Sequence, residues 1–195
     1  MKDTGYKIIL ASNSPRRKEL LSGIDIDYEV KTLPDIDESY PEELPNEQVA
    51  EFLAKKKASA YADILTDATL LITADTVVIL HDEILGKPVD KADAKRMLKK
   101  LSGNTHRVIT GVCLTSGKKQ VAFSDVAFVT FGKLTDEEID YYVEKYNPMD
   151  KAGAYGVQEW IGYVAVERIE GSYFNVMGLP ISRVYEELKC YNDEK

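Results

Sequence analysis

Histidine and cysteine are nearly absent: His81, His106, Cys113 and Cys190 are all that 195 residues contain. Two cysteines make no disulfide framework, and they read as buried thiols. Two histidines argue against a His-rich zinc or iron centre. No apolar run approaches the roughly 18 residues needed to cross a bilayer. The opening MKDTGYKIILASNS has no export-signal core of about 7–15 apolar residues, so the expectation is a cytoplasmic protein without membrane contact. Basic charge is also short, with 25 Lys and Arg against 33 Asp and Glu and a net charge of -8. General nucleic-acid binding needs a basic face and is excluded on that ground. A small phosphorylated ligand is not, because a local cationic cluster can dominate its own cleft. No G-x-G-x-x-G follows a strand. Gly111–Lys119 misses the P-loop by one residue of glycine spacing and by Lys119 where Ser or Thr is required. Spacing suggests neither a Ser-His-Asp nor a Cys-His pairing.

What is present alternates between helix and strand. KIILA (7–11) reads as a buried strand and Pro15–Ser22 as a helix, with Ser14 as cap, proline at its first position and Gly23 at its end. A strand near 28–32 precedes the acidic stretch LPDIDESYPEELP. Asn46 is expected to cap a helix running to Tyr61, with Val49, Phe52, Leu53 and Ala60 as its apolar stripe. TLLITAD (69–75) reads as a strand ending in a carboxylate. VVIL and ILG form a hairpin around His81-Asp82-Glu83. A helix capped by Asp90 ends at Gly103, and two strands, RVITGVCL and QVAFSDVAFVTF, lead to a helix over 136–146. A strand over 163–169 and a helix after Pro180 close the chain. The pattern is α/β with a mixed sheet. With neither repeats nor a linker, residues 1–195 are expected to form a single domain.

Four places can carry chemistry. Ala11–Arg17 joins a strand to a helix N-terminus, where free N–H groups and two arginines suit a phosphate. A capped helix with solvated arginines is the plain alternative. Asp75, at the end of a buried strand, can bind a metal, act as a base, or begin a turn. Lys87, in Leu85-Gly86-Lys87-Pro88, returns beside Asp75 and Thr76 if the hairpin loop has three residues, with Leu80 facing Ile84 and Val77 facing Lys87. There it is either a cleft cation or an ordinary ion pair. Lys57 is four residues after Leu53, on the inward edge of its helix, as a phosphate ligand or a snorkelling side chain. The acidic stretch fails the EF-hand pattern, though one or two of Asp35, Asp37 and Glu38 can help hold magnesium.

ASNSPRRKELL (11–21), ADTVV (74–78), LGKP (85–88), LSGNTHRVITGV (101–112), DKAGAYGVQ (150–158) and GSYFNVMGLP (171–180) resemble, in order, the motifs of the Maf family of nucleoside triphosphate pyrophosphatases. The resemblance spans nearly the whole chain. It implies the Maf/ITPase-like α/β fold: an elongated mixed β-sheet flanked by helices, two lobes with a central cleft, and a homodimer. It also implies hydrolysis between the α- and β-phosphates, with a divalent metal cation, Mg²⁺ first and Mn²⁺ or Co²⁺ as alternatives. Asp75 matches the family's catalytic carboxylate and, with Glu38, a metal-binding position. Ser12, Arg16, Arg17, Lys57 and Lys87 match its phosphate-site residues.

Members that prefer dTTP and UTP resemble one another in an Arg of S-P-R-R, a Thr after the catalytic Asp, and a Gln after A-G-A-Y-G. Arg16, Thr76 and Gln158 stand in those places, while Trp160 departs from the small residues common just past that Gln. Two rivals remain beside a dTTP/UTP enzyme. One is a nucleotide-binding regulator of septum formation with little turnover, the other a purine-directed pyrophosphatase.

Overall fold

The computed structural model describes residues 5–193; the first four residues of the opening stretch read above lie outside them. Seven strands form one mixed sheet in the order β2-β1-β3-β5-β6-β7, with β4 paired to β3. They are β1 (Lys7–Leu10), β2 (Glu29–Val30), β3 (Thr69–Leu80), β4 (Glu83–Leu85), β5 (Thr105–Thr115), β6 (Gln120–Phe131) and β7 (Val166–Glu170). β1 runs parallel to β2 and β3, whereas β4 and β7 run antiparallel to β3 and β6. The helices are α1 (Pro15–Ser22), α2 (Asn46–Ser59), α3 (Lys91–Leu101), α4 (Asp136–Tyr146), α5 (Trp160–Ala165), α6 (Tyr173–Met177) and α7 (Ile181–Asp193). No helix among the described residues is long and apolar enough to cross a membrane. The chain divides into two compact units: residues 5–75, 110–125 and 178–193 in the first, Thr76–Ile109 and Val126–Met177 in the second.

In the first unit α2 lies hard against the sheet. Ile9, Ala54, Ala58, Tyr61, Leu71 and Cys113 form one apolar cluster. A Cβ on Gly111 would lie 2.3 Å from the helix backbone at Ala50 and Glu51, so only glycine permits that approach of β5 to α2. The Thr73 hydroxyl donates to the Ala54 carbonyl at 2.7 Å. These contacts fix both the height and the register of α2 over the sheet. Asn46 is the first helical residue rather than the cap; Pro45 takes the cap position without a side-chain bond. Ala60, expected on the apolar stripe, is exposed and falls just past the helix end.

In the second unit α3 and α4 obey their cap signals. The Asp90 side chain accepts from the Asp93 N–H, and Thr135 with Glu138 forms a capping box. Lys91–Glu144, Lys95–Asp140 and Lys99–Asp136 join the helices in rungs four residues apart; one number rises as the other falls, so the helices are antiparallel. One expectation fails here. The strand expected over 163–169 is split: α5 takes Tyr163 and only Val166–Glu170 is extended. The Gly162 N–H donates to the Glu159 carbonyl, and a Cβ at Gly162 would come within 1.8 Å of the Val157 carbonyl oxygen. A tight turn with no room for a side chain thus outweighs the β-propensity of Tyr163 and Val164. The short helix α6 carried no periodicity that could announce it.

Candidate active site

The first unit builds its site on three elements. β1 ends at Leu10, paired with Ile72 of β3, and the chain turns through Ser12–Ser14 into α1. Ser14 caps α1 through the Arg17 N–H at 3.4 Å, and Ser12 Oγ accepts from the Ser14 N–H at 3.2 Å. Arg17 does more than add charge. Its Nε donates to the Gly178 carbonyl at 2.8 Å and its Nη1 to the Ala74 carbonyl at 2.9 Å, with Ser12 Oγ at 3.5 Å. Its planar fork therefore ties the β1–α1 turn, β3 and the entry to α7 together just before Asp75. Burial lowers its pKa from the ordinary value, the Asp75 charge opposes that, and neighbouring Arg16 adds to the lowering. The group stays charged regardless.

Asp75 meets Lys57 directly: Lys57 Nζ stands 2.6 Å from Asp75 Oδ1 and 2.8 Å from Glu38 Oε1. The Asp75 and Lys57 side chains are each 14% exposed, against 48% for Glu38. One ammonium thus gathers a carboxylate from a strand and another from a loop. Glu38 gets there because the acidic loop is fastened at both ends. The Leu33 N–H donates to the Tyr61 hydroxyl at 2.9 Å. Lys56 Nζ donates to Asp37 Oδ2 at 2.7 Å and to the Ser39 carbonyl at 2.7 Å. Together with the Ser39 N–H and hydroxyl, Lys56 holds the Asp37 carboxyl down at about 2. Sequence reasoning missed Lys56: on its helix it is one of three consecutive lysines, and only the returning loop distinguishes it.

The position of Asp75 differs from expectation. It lies inside the twelve-residue strand β3, not at a strand end. The polar pair Asp75-Thr76 interrupts an apolar run without interrupting the backbone. Asp75 is only partly buried, three residues past Ile72, where the ladder to β1 stops.

The second unit holds the other predicted residues. The hairpin pairs Leu80 with Glu83 and Ile79 with Ile84, one residue off the expected register. His81 absorbs the difference with φ of 53°, so the connection is His81-Asp82 alone. Continuing that register sets Lys87 level with Thr76 rather than Val77. Lys87 is exposed and Thr76 half-buried. The Gly153 N–H donates to the Gly86 carbonyl at 3.0 Å, and a Cβ there would press Val78 at 3.1 Å with φ at +67°. Glycine is thereby required at 153, and segment 152–158 is fixed to the same hairpin. Lys151, nearly buried, bridges Asp150 at 2.7 Å and Glu159 at 3.1 Å. Glu159 also accepts from the Tyr142 hydroxyl, which takes the Gly156 N–H at 3.1 Å. Between these anchors, Gln158 Oε1 is shielded from solvent and accepts no hydrogen bond among the described residues. His106 Nε2 and the Tyr155 hydroxyl lie 2.7 Å apart in the core, and burial pushes His106 down to about 4.

Two carboxylates sharing a cation, an arginine locked beside them and a capped helix start suit an anionic ligand with a hard cation. A family profile described as Maf-like protein matches residues 7–191. The chain belongs to the Maf family. A dTTP/UTP pyrophosphatase of Phocaeicola vulgatus is 61% identical over 184 residues, covering 94% of this chain and 95% of that relative. A dTTP/UTP pyrophosphatase of Porphyromonas gingivalis is 58% identical over 190 residues, covering 96% of each. Among solved structures, a nucleoside-triphosphatase (dITP/XTP pyrophosphatase) of Mycobacterium abscessus superposes with a TM-score of 0.45 at 16% identity, covering 97% of this chain and 96% of that one. Within this Maf chain, Ser12, Arg17, Lys57, Glu38 and Asp75 belong to the first unit with Arg16, and Thr76, Lys87 and Gln158 to the second.

Proposed function

We propose that this Maf protein hydrolyses dTTP and UTP, and modified pyrimidine nucleotides of the same shape, to the monophosphate and pyrophosphate. The observation that carries the reading is the Glu38–Lys57–Asp75 cluster, in a chain 61% identical to a dTTP/UTP pyrophosphatase. Water attacks the α-phosphorus in line and pyrophosphate leaves. Asp75 orients that water and accepts its proton. Ser12 and Arg16 at the start of α1, with Lys57 and Lys87, meet the polyphosphate charge. Arg17 acts on the same charge from behind, through a guanidinium held by two backbone carbonyls.

A divalent metal fits the donors present. The Asp75 and Glu38 carboxylates already reach one ammonium, which supports their offering oxygens to a shared metal cation. The described residues contain no group of three or more His, Cys, Asp or Glu that could hold a metal ion by itself. Two carboxylates, completed by phosphate oxygens and water, are what Mg²⁺ usually takes, with Mn²⁺ or Co²⁺ as substitutes. The metal supplies charge neutralisation on the phosphates and activation of water.

Thr76 and Gln158 read the base. Turned out of its shielded position, Gln158 Oε1, which accepts no hydrogen bond among the described residues, is an acceptor suited to the N3–H of thymine or uracil, while cytosine presents an acceptor there. A homodimer in the cytoplasm completes the proposal. The deciding experiment is pyrophosphate release from dTTP, UTP, CTP, dITP, XTP and 7-methyl-GTP, with and without Mg²⁺. Metal-dependent release concentrated on dTTP and UTP is expected. Release concentrated on dITP and XTP would move the protein to the purine class, and binding without release would make it a regulator.

A further inference from the structure

We infer that Lys57 is an exchangeable internal cation, which keeps divalent metal out of the nucleotide-free protein and so makes metal and nucleotide bind together. The inference rests on the proposed pyrophosphatase site. The ammonium already stands where a metal would: 2.6 Å from Asp75 Oδ1 and 2.8 Å from Glu38 Oε1. Its environment is largely closed, with 14% exposure on Lys57 and on Asp75. A Mg²⁺ ion binds oxygen at about 2.0–2.1 Å, so it cannot take both carboxylates while the ammonium lies between them. Nor can two like-charged cations share a half-buried site without strong repulsion.

What can leave is Lys57. Asp75 is set in the backbone of β3 and Glu38 in a loop stapled by Lys56, whereas the ammonium ends a flexible four-carbon stem. It is a compact point charge with three donors, which bonds phosphate oxygens as readily as carboxylates. A triphosphate gives it a second set of acceptors. As Lys57 turns to the phosphates, both carboxylates are released to the metal that the nucleotide brings. The pair is kept assembled in the empty state without admitting a stray ion. By linkage, bound nucleotide must strengthen metal binding by the same factor by which bound metal strengthens nucleotide binding.

The test is Mn²⁺ binding to nucleotide-free protein, followed by loss of the free-ion paramagnetic resonance signal. The Lys57→Met and Lys57→Gln variants should each bind Mn²⁺ at least about tenfold more tightly than wild type, a coupling within the usual range. Adding Glu38→Gln to either should abolish the gain. Variants that bind no more tightly than wild type overturn the inference. A second measurement needs no variant: Mn²⁺ alone should leave the wild-type Tm unchanged, while Mn²⁺ with a non-hydrolysable UTP analogue should raise it above the analogue alone. A rise with Mn²⁺ alone equal to that with both also overturns it. The pyrophosphate-release panel is read separately: absent release from every nucleotide sinks the proposed function, whereas Mn²⁺ binding reports only on the ammonium and the two carboxylates.

Discussion

Asp75 and His106 are the two side chains whose chemistry is most constrained by where they stand. Asp75 is held by Lys57 and bordered by the Arg17-bound Ala74 carbonyl. Replacing it with Asn keeps the volume and removes the proton acceptor. Turnover should fall about 10²-fold or more while nucleotide affinity, measured by calorimetry without divalent metal, stays within a few-fold. Near-normal turnover would remove Asp75 from the reaction. His106 is buried with its Nε2 on Tyr155, and its pKa falls from 6.5 to about 4 through loss of solvent. The unfolded chain therefore takes up a proton below pH 6.5 that the folded chain refuses until about pH 4. Stability from this residue is fully present above 6.5, is lost progressively as pH drops towards 4, and changes no further below. The total is about 3 kcal/mol. Denaturation midpoints across pH 4–7 should show this slope in wild type and a shallower one in His106→Gln. Parallel curves would contradict it.

At the scale of elements, the site depends on how α2 lies over β3 and β5. Thr73 grips the Ala54 carbonyl, one turn before Lys57, and Asp75 follows Thr73 by two residues on the same strand face. Thr73→Val removes that grip at nearly constant volume. It should cost about 1 kcal/mol and a Tm loss of about 2–4 °C, and it should lower kcat more than it raises KM. Gly111→Ala places a methyl 2.3 Å from the helix backbone, so α2 must lift; destabilisation of about 1–3 kcal/mol should accompany loss of turnover. Full activity in both variants would show that the register of α2 does not matter. The sequence was legible wherever local rules decide. α1, α3 and α4 announced themselves by caps and spacing, and β1 by its apolar run. It misled where tertiary contacts decide. Asp75-Thr76 read as a break because polarity imitates a strand end, and Tyr163–Ala165 read as strand because the steric demand at Gly162 is invisible locally. Asp75, Arg16, Arg17, Lys57 and Lys87 stood out as candidates from caps and positions. That Glu38 joins Lys57 depends on a loop returning across many residues, and only the family resemblance hinted at it.

For the whole molecule, net charge of -8 sets which anions can approach. An extended polyanion meets more carboxylates than cations, 33 against 25 over the chain, whereas a nucleotide can lie wholly against one cationic cluster. Fluorescence anisotropy with a labelled 20-mer RNA or DNA should therefore show no binding at about 0.1 M salt up to micromolar protein, while the metal complex of UTP binds under the same conditions. Tight oligonucleotide binding would contradict the charge argument.

A carboxylate carried mid-strand, with pairing on both sides of its position in the sequence, is insulated from the parts of the chain that drift most easily. Exchanging residues around Gln158 and Trp160 leaves β3 and Asp75 where they were. Descendants of such a chain can trial new bases against an unchanged hydrolytic centre. Changing what is recognised then does not require rebuilding what reacts.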